Sequence, residues 1–118
     1  MAQKTLQAER DLKQLSQSLG LEYEQQDWGI LNADGRRLSE FIAYYQANPG
    51  LSATQKYELG GLILASANEL LLRAGSSLPE EFGAFLTDNR PAFEASVEYW
   101  QSLQDPVEFP LGKWLGAH

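Results

Sequence analysis

The run from Ser52 to Gly75, SATQKYELGGLILASANELLLRAG, decides the fold. Its opening Ser52-Ala-Thr-Gln55 is a capping box, in which the serine oxygen accepts a first-turn amide and the glutamine reaches back to the serine amide. Behind it, Leu59, Leu62, Ile63, Ser66, Ala67, Leu70 and Ala74 recur at helical spacing, and Gly75 supplies a stop. Leu64, Leu71 and Leu72 widen this apolar face almost to the whole circumference. A helix so apolar must be covered from several sides, which places it at the centre of the molecule. Gly60, Gly61, Ala65, Ser66 and Ala67 are small enough to admit a close neighbour. A mid-helix glycine costs roughly 1 kcal/mol relative to alanine, so close packing is the expected compensation.

Four further helices follow from the same rules. Over Thr5 to Leu19, Ala8, Leu12, Leu15 and Leu19 form one face and Gly20 stands at the stop. Asp34 caps a helix over Gly35 to Ala47, with a stripe of Leu38, Phe41, Ile42 and Tyr45 ended by Asn48-Pro49-Gly50. Ser77-Leu-Pro-Glu80 reads as a second capping box, opening a short helix that presents Phe82, Phe85 and Leu86. The last helix, Pro91 to Gln104, turns Phe93, Val97, Trp100 and Leu103 or Gln104 to one side.

Two stretches resist that reading. In residues 21–31, Leu21 and Tyr23 alternate with Glu22 and Glu24 as in a strand, but Gln25-Gln26 breaks the pattern. A short extended segment or a loop, anchored by Trp28 and Ile30, is expected there. From Asp105 to Leu115 the chain is apolar yet interrupted by Pro106 and Pro110. An extended, ordered C-terminal tail is expected, pinned by Val107, Phe109, Leu111 and Trp114 and free to pair with residues 21–31. Trp28, Trp100 and Trp114 are assigned to the core. The expected architecture is a single all-α domain over residues 1–118, a compact bundle of four to five helices carrying that tail.

Composition narrows the function. A chain of 118 residues with 43% hydrophobic content can build one continuous core. It has no cysteine, so packing rather than disulfides must hold it, as suits a reducing cytoplasm. No secretory leader is expected, because polar residues from Gln3 to Gln14 interrupt any apolar run. No membrane span is expected either, since the longest apolar run, Leu59 to Ala67, falls far short of the roughly 18–20 residues required. The only histidine is His118. Nucleotide-loop, nucleophile-elbow and zinc-helix motifs are missing, so neither a cofactor nor a metal is called for. Asn32-Ala-Asp34-Gly35 sits in the wrong register for a calcium loop and is better read as a turn and cap.

Charge is the positive signal. The formal net charge is −7, and between residues 76 and 108 seven acids face one base, Arg90. Such a field repels phosphate backbones, which argues against nucleic acid, and attracts a basic protein. On the last helix Glu94, Glu98, Gln101 and Asp105 align opposite the apolar side, bordered by Tyr99, while Glu80, Glu81 and Asp88 precede them. Carboxylates beside a tyrosine suit the gripping of Lys and Arg. Tyr44 and Tyr57 are candidates for a second groove.

The resulting expectation is a non-enzymatic protein-binding module, most concretely an acidic inhibitor or immunity-type protein that neutralises a basic toxin. A homo-oligomeric structural or regulatory protein is the alternative, should the broad apolar helix exceed what one bundle can cover. A small-ligand binder or carboxylate-dependent enzyme is the third reading, requiring an interior pocket around Asn68, Glu69 or Tyr57.

Overall fold

The computed structural model describes residues 2–74, 77–103 and 105–117, with side chains for all of these except 2–5 and 74. The roles read for Gly75 and Gln104 lie outside the described residues. Helix α1, Ala2–Leu19, ends where Gly20 enters the left-handed region at φ 67°, and the Leu21 amide reaches back to the Ser16 carbonyl at 2.8 Å. That closure is the glycine stop expected from the sequence. The helix buries Leu12, Leu15, Ser16 and Leu19.

Residues 21–27 form no strand, and none occurs among the described residues. The Asn32 side chain replaces the ladder that a strand would need. Its amide donates to the Glu22 carbonyl at 2.9 Å and to the Trp28 carbonyl at 3.0 Å, and its oxygen accepts from the Glu22 amide at 3.2 Å. The segment then winds into a single turn, α2, Trp28–Leu31. Trp28 is buried there, its indole N–H donating 2.8 Å to the Ser16 hydroxyl, whereas Ile30 points outward and is 56% exposed.

Asp34 acts as the expected cap, accepting from the Arg36 amide at 3.0 Å. The helix it starts is first a 3-10 turn, Gly35–Arg37, and only then α3, Leu38–Ala47. The central helix α4, Ala53–Ala74, opens with the predicted box closed in both directions. The Gln55 amide donates to Ser52 Oγ at 3.1 Å, and the Ser52 amide donates to Gln55 Oε1 at 3.0 Å. Every side chain from Leu62 to Asn68 is buried, while Leu72 is 53% exposed. Helices α1, α2 and α3 and the C-terminal helix over Pro110–Ala117 all pack on α4, as a helix apolar on most sides requires.

Helix α5, Glu80–Asn89, does not use the second capping box. Its N-cap is Pro79 in extended geometry with no side-chain cap, so Ser77 stands two residues outside. Proline restricts the residue before it to extended backbone, which holds Leu78 out of the helix and delays its start. A 3-10 turn, Arg90–Phe93, leads into α6, Glu94–Ser102. The extended tail is the larger correction. Asp105 folds residues 105–108 into a turn by accepting from the amides of Val107 at 3.0 Å and Glu108 at 3.2 Å. Helix α7, Pro110–Ala117, follows with proline in its first position, where no amide is missed. Val107 pins nothing, being 79% exposed, and Trp114 is only half-buried against Phe82. Leu111 is fully buried and Phe109 packs edge-on to Trp100, as expected of them, and Leu115 adds to the burial. The four or five helices expected are thus joined by α2 and α7.

The two central glycines have opposite uses. A Cβ on Gly60 would lie 2.1 Å from the Phe93 ring, so this glycine admits Phe93 into the cluster it forms with Tyr45 and Phe85. A Cβ on Gly61 would meet nothing within 4 Å. Close packing therefore compensates for the first and not for the second.

Buried Asn68 latches α7 to α4, donating 3.2 Å to the Glu108 carbonyl and accepting from the Leu111 amide at 3.0 Å. Asn68→Ala is expected to cost about 2 kcal/mol in urea unfolding and to speed hydrogen exchange at the Leu111 amide, because a buried donor is left unpaired.

Candidate functional site

A groove of about 320 Å³ opens between the 25–30 segment, α4 and α6. Small residues line it, Gly29 from α2, Gly61 from α4, and Ala95 and Ser96 from α6. Its walls are aromatic. Tyr57 from α4 is 60% exposed, Tyr99 from α6 is 55% exposed, and the Trp28 and Trp100 rings close it from within. Ile30 stands at the edge, with the 62%-exposed Leu31 beside it in sequence. The described residues lining the groove include two carboxylates, Asp27 and Glu58, and no lysine or arginine.

Three of these lining residues are locally unfavourable. Asp27 is the only described non-glycine residue in the left-handed region, at φ 57°, which costs an L-residue about 1–2 kcal/mol and is eased for aspartate by its short polar side chain. Gly61 weakens the centre of α4 with no packing in return. Glu58 is half-buried with no hydrogen bond or ion pair to any described residue, and desolvation raises its pKa above the usual carboxylate range. By contrast, Asp34 and Glu40 are held below that range, chiefly by side-chain hydrogen bonds from Arg36 and Arg37.

The carboxylates singled out from sequence scatter. Glu94 and Glu98 are exposed on α6, one residue before Ala95 and Tyr99 and so about 100° round the helix from the groove wall, with Glu94 Oε2 3.8 Å from Arg90. Gln101 lines a separate hollow of about 270 Å³ with Phe109 and Lys113. Asp105 is not on the stripe at all, because α6 ends at Ser102 and its carboxylate serves the following turn. Glu80 borders a cleft of about 520 Å³ beside Trp114, Glu81 accepts from the Ser39 hydroxyl, and Asp88 faces solvent. Only Tyr99 of that set reaches the groove.

Tyr44 and Tyr57 do not share a surface either. Tyr44 is half-buried in a hollow with Leu15, Asn48 and Leu51, whereas Tyr57 lines the groove that Tyr99 also borders. The interior pocket required for a ligand-binding reading is not assembled by its three residues. Asn68 holds α7, Glu69 accepts from the Gly35 amide at 2.7 Å and from Arg73 at 3.1 Å, and Tyr57 is on the surface. Among the described residues no three His, Cys, Asp or Glu side chains gather as a metal-binding group, and no helix is long and apolar enough to cross a membrane.

Compared with known proteins, the chain matches no protein-family model, and no curated protein or solved structure is significantly similar to it.

Because burial raises the Glu58 pKa, stability is lost as pH rises through the folded value and is fully present below the ordinary value of 4.5. Glu58→Gln is therefore expected to raise the unfolding free energy at pH 7, by less than about 0.5 kcal/mol after solvent screening. The gain should vanish when the melt is repeated near pH 4.

Proposed function

We propose that this chain is a non-enzymatic protein-binding module of the cytoplasm, an acidic inhibitor of the immunity kind that neutralises a basic protein. The observation that carries the proposal is the meeting of Asp27, Glu58 and Gly61 in one groove beside exposed Ile30, Tyr57 and Tyr99. Locally unfavourable residues persist where function needs them, and here all three border the same opening. The net charge of −7 steers a cationic partner toward the surface. Tyr57 and Tyr99 then supply large, rigid contact area, and the bulk of the domain covers the partner's cleft. A stable complex buries about 800 Å² on each partner, so the groove is the centre of a larger contact that extends over Glu94 and Glu98. The same negative lining disfavours phosphate backbones.

Self-association is the second reading, motivated by Ile30, Leu31 and Tyr57, all more than half exposed. Residues Leu59 to Ala67 of α4, whose breadth first suggested it, are covered within the chain apart from half-open Gly61. Sedimentation at micromolar concentration separates the two, since a monomer retires self-association.

The test of the main reading is a groove-filling substitution. Gly61→Met has open space at its Cβ, extends the rest of its side chain into the groove and replaces a poor helix former, so the variant should be at least as stable as the parent. Against a basic partner it should lose at least about 2 kcal/mol of affinity, and the parent's association rate should fall steeply with salt. Equal affinity for both proteins, or a rate indifferent to salt, contradicts the proposal.

A further inference from the structure

Glu58 borders two hollows. One is the groove of about 320 Å³ already described, and the other, about 280 Å³, lies between α1, residues 23–26 and the first turns of α4. The two have Gln25 and Glu58 in common, so they adjoin at these residues and together make a trough bordered by Glu58. The side-chain amide of Gln25 is fixed at this junction by donating 2.8 Å to Glu9, which lines the second hollow. Tyr23, in the wall of that hollow, has a buried hydroxyl with no hydrogen-bond partner among the described residues. Every other half-buried acid differs from Glu58. Asp34 meets Arg36 at 3.2 Å, and Glu69 meets Arg73 at 3.1 Å as well as the Gly35 amide. Asp11 accepts from Gln7 at 2.9 Å, and Glu9 accepts from Gln25.

We propose that Glu58 is the specificity-determining residue of the trough and receives an arginine of the partner, whose apolar neighbours rest between Ile30, Tyr57 and Tyr99. This rests on the reading of the groove as a protein-binding surface and names what that surface selects. Charge complementarity fixes the occupant. The groove lining offers carboxylates and aromatic faces but no cation of its own, and a guanidinium is the group that uses both. A planar fork also matches a carboxylate with two donors, where an ammonium offers a point charge.

The experiment is a ¹⁵N NMR titration of the full chain with acetyl-Leu-Arg-Leu-amide and with its citrulline counterpart, which is isosteric and uncharged. The arginine peptide should shift the amides of Gly29, Gly61 and Tyr99, and the citrulline peptide should bind about five-fold more weakly. In Glu58→Gln, a conservative change, that five-fold preference should disappear while both peptides still shift the same amides. If the parent binds both peptides equally, or Glu58→Gln keeps the preference, the assignment of Glu58 is overturned and the groove remains a protein-binding surface. If neither peptide shifts those amides, the arginine-selective trough is overturned, and the groove-filling comparison with a whole partner decides the broader reading independently.

Discussion

The structure depends on one constraint, that Gln55, Ser66, Asn68 and Glu69, polar side chains buried or half-buried along α4, be satisfied by the backbone of the segments packed on it. Gln55 donates to the Asp11 carbonyl at 2.9 Å and so fixes α1. Ser66 accepts from the Asp34 amide at 3.1 Å and Glu69 from the next amide, which seats the 3-10 turn ahead of α3. Asn68 fixes the start of α7. Each bond contributes modestly when made, yet a buried partner left without it costs about 1–3 kcal/mol. The apolar surface of α4 drives association, and these four side chains select which segment sits where.

That division explains what was legible. Signals acting within one turn were readable without tertiary information: the Ser52–Gln55 box, the Asp34 cap, the Gly20 stop, and the stripe that buries Leu38, Phe41 and Ile42. What failed involved competition between local options. Ser77 and Glu80 have the spacing of a box, but Pro79 takes the cap position. Pro110 reads as an interruption from one side and as a first helical residue from the other, and Leu111, Trp114 and Leu115 already carry helical spacing. Strand-like alternation at Leu21 and Tyr23 had no partner strand to meet, and the Asn32 amide took the backbone N–H and C=O of Glu22 between them.

The candidate site was less legible for the same reason. Tyr57 and Tyr99 stood out singly, but their lining of one groove depends on how α4 and α6 are placed in the fold, which no local pattern encodes. Gly61 looked like Gly60, and only the position of Phe93 tells them apart. Glu58 gave no signal, since a half-buried carboxylate and a solvated one have identical neighbours in sequence. The acidic stripe had the opposite fault. Its spacing is regular, yet α6 ends before Asp105 and the remaining members serve different surroundings.

Stability and function therefore pull apart at the groove: the α4 residues that pack outward segments favour folding, while Glu58 and Gly61, one turn apart on that helix, do not. The most direct measurement is photo-crosslinking in living cells with benzoylphenylalanine at position 99 in the groove wall and, separately, at exposed position 72 on the far end of α4. The account predicts one basic protein joined to the position-99 chain and none to the position-72 chain. Adducts of equal yield from both positions, or an adduct at 99 that is a second copy of the same chain, would contradict it.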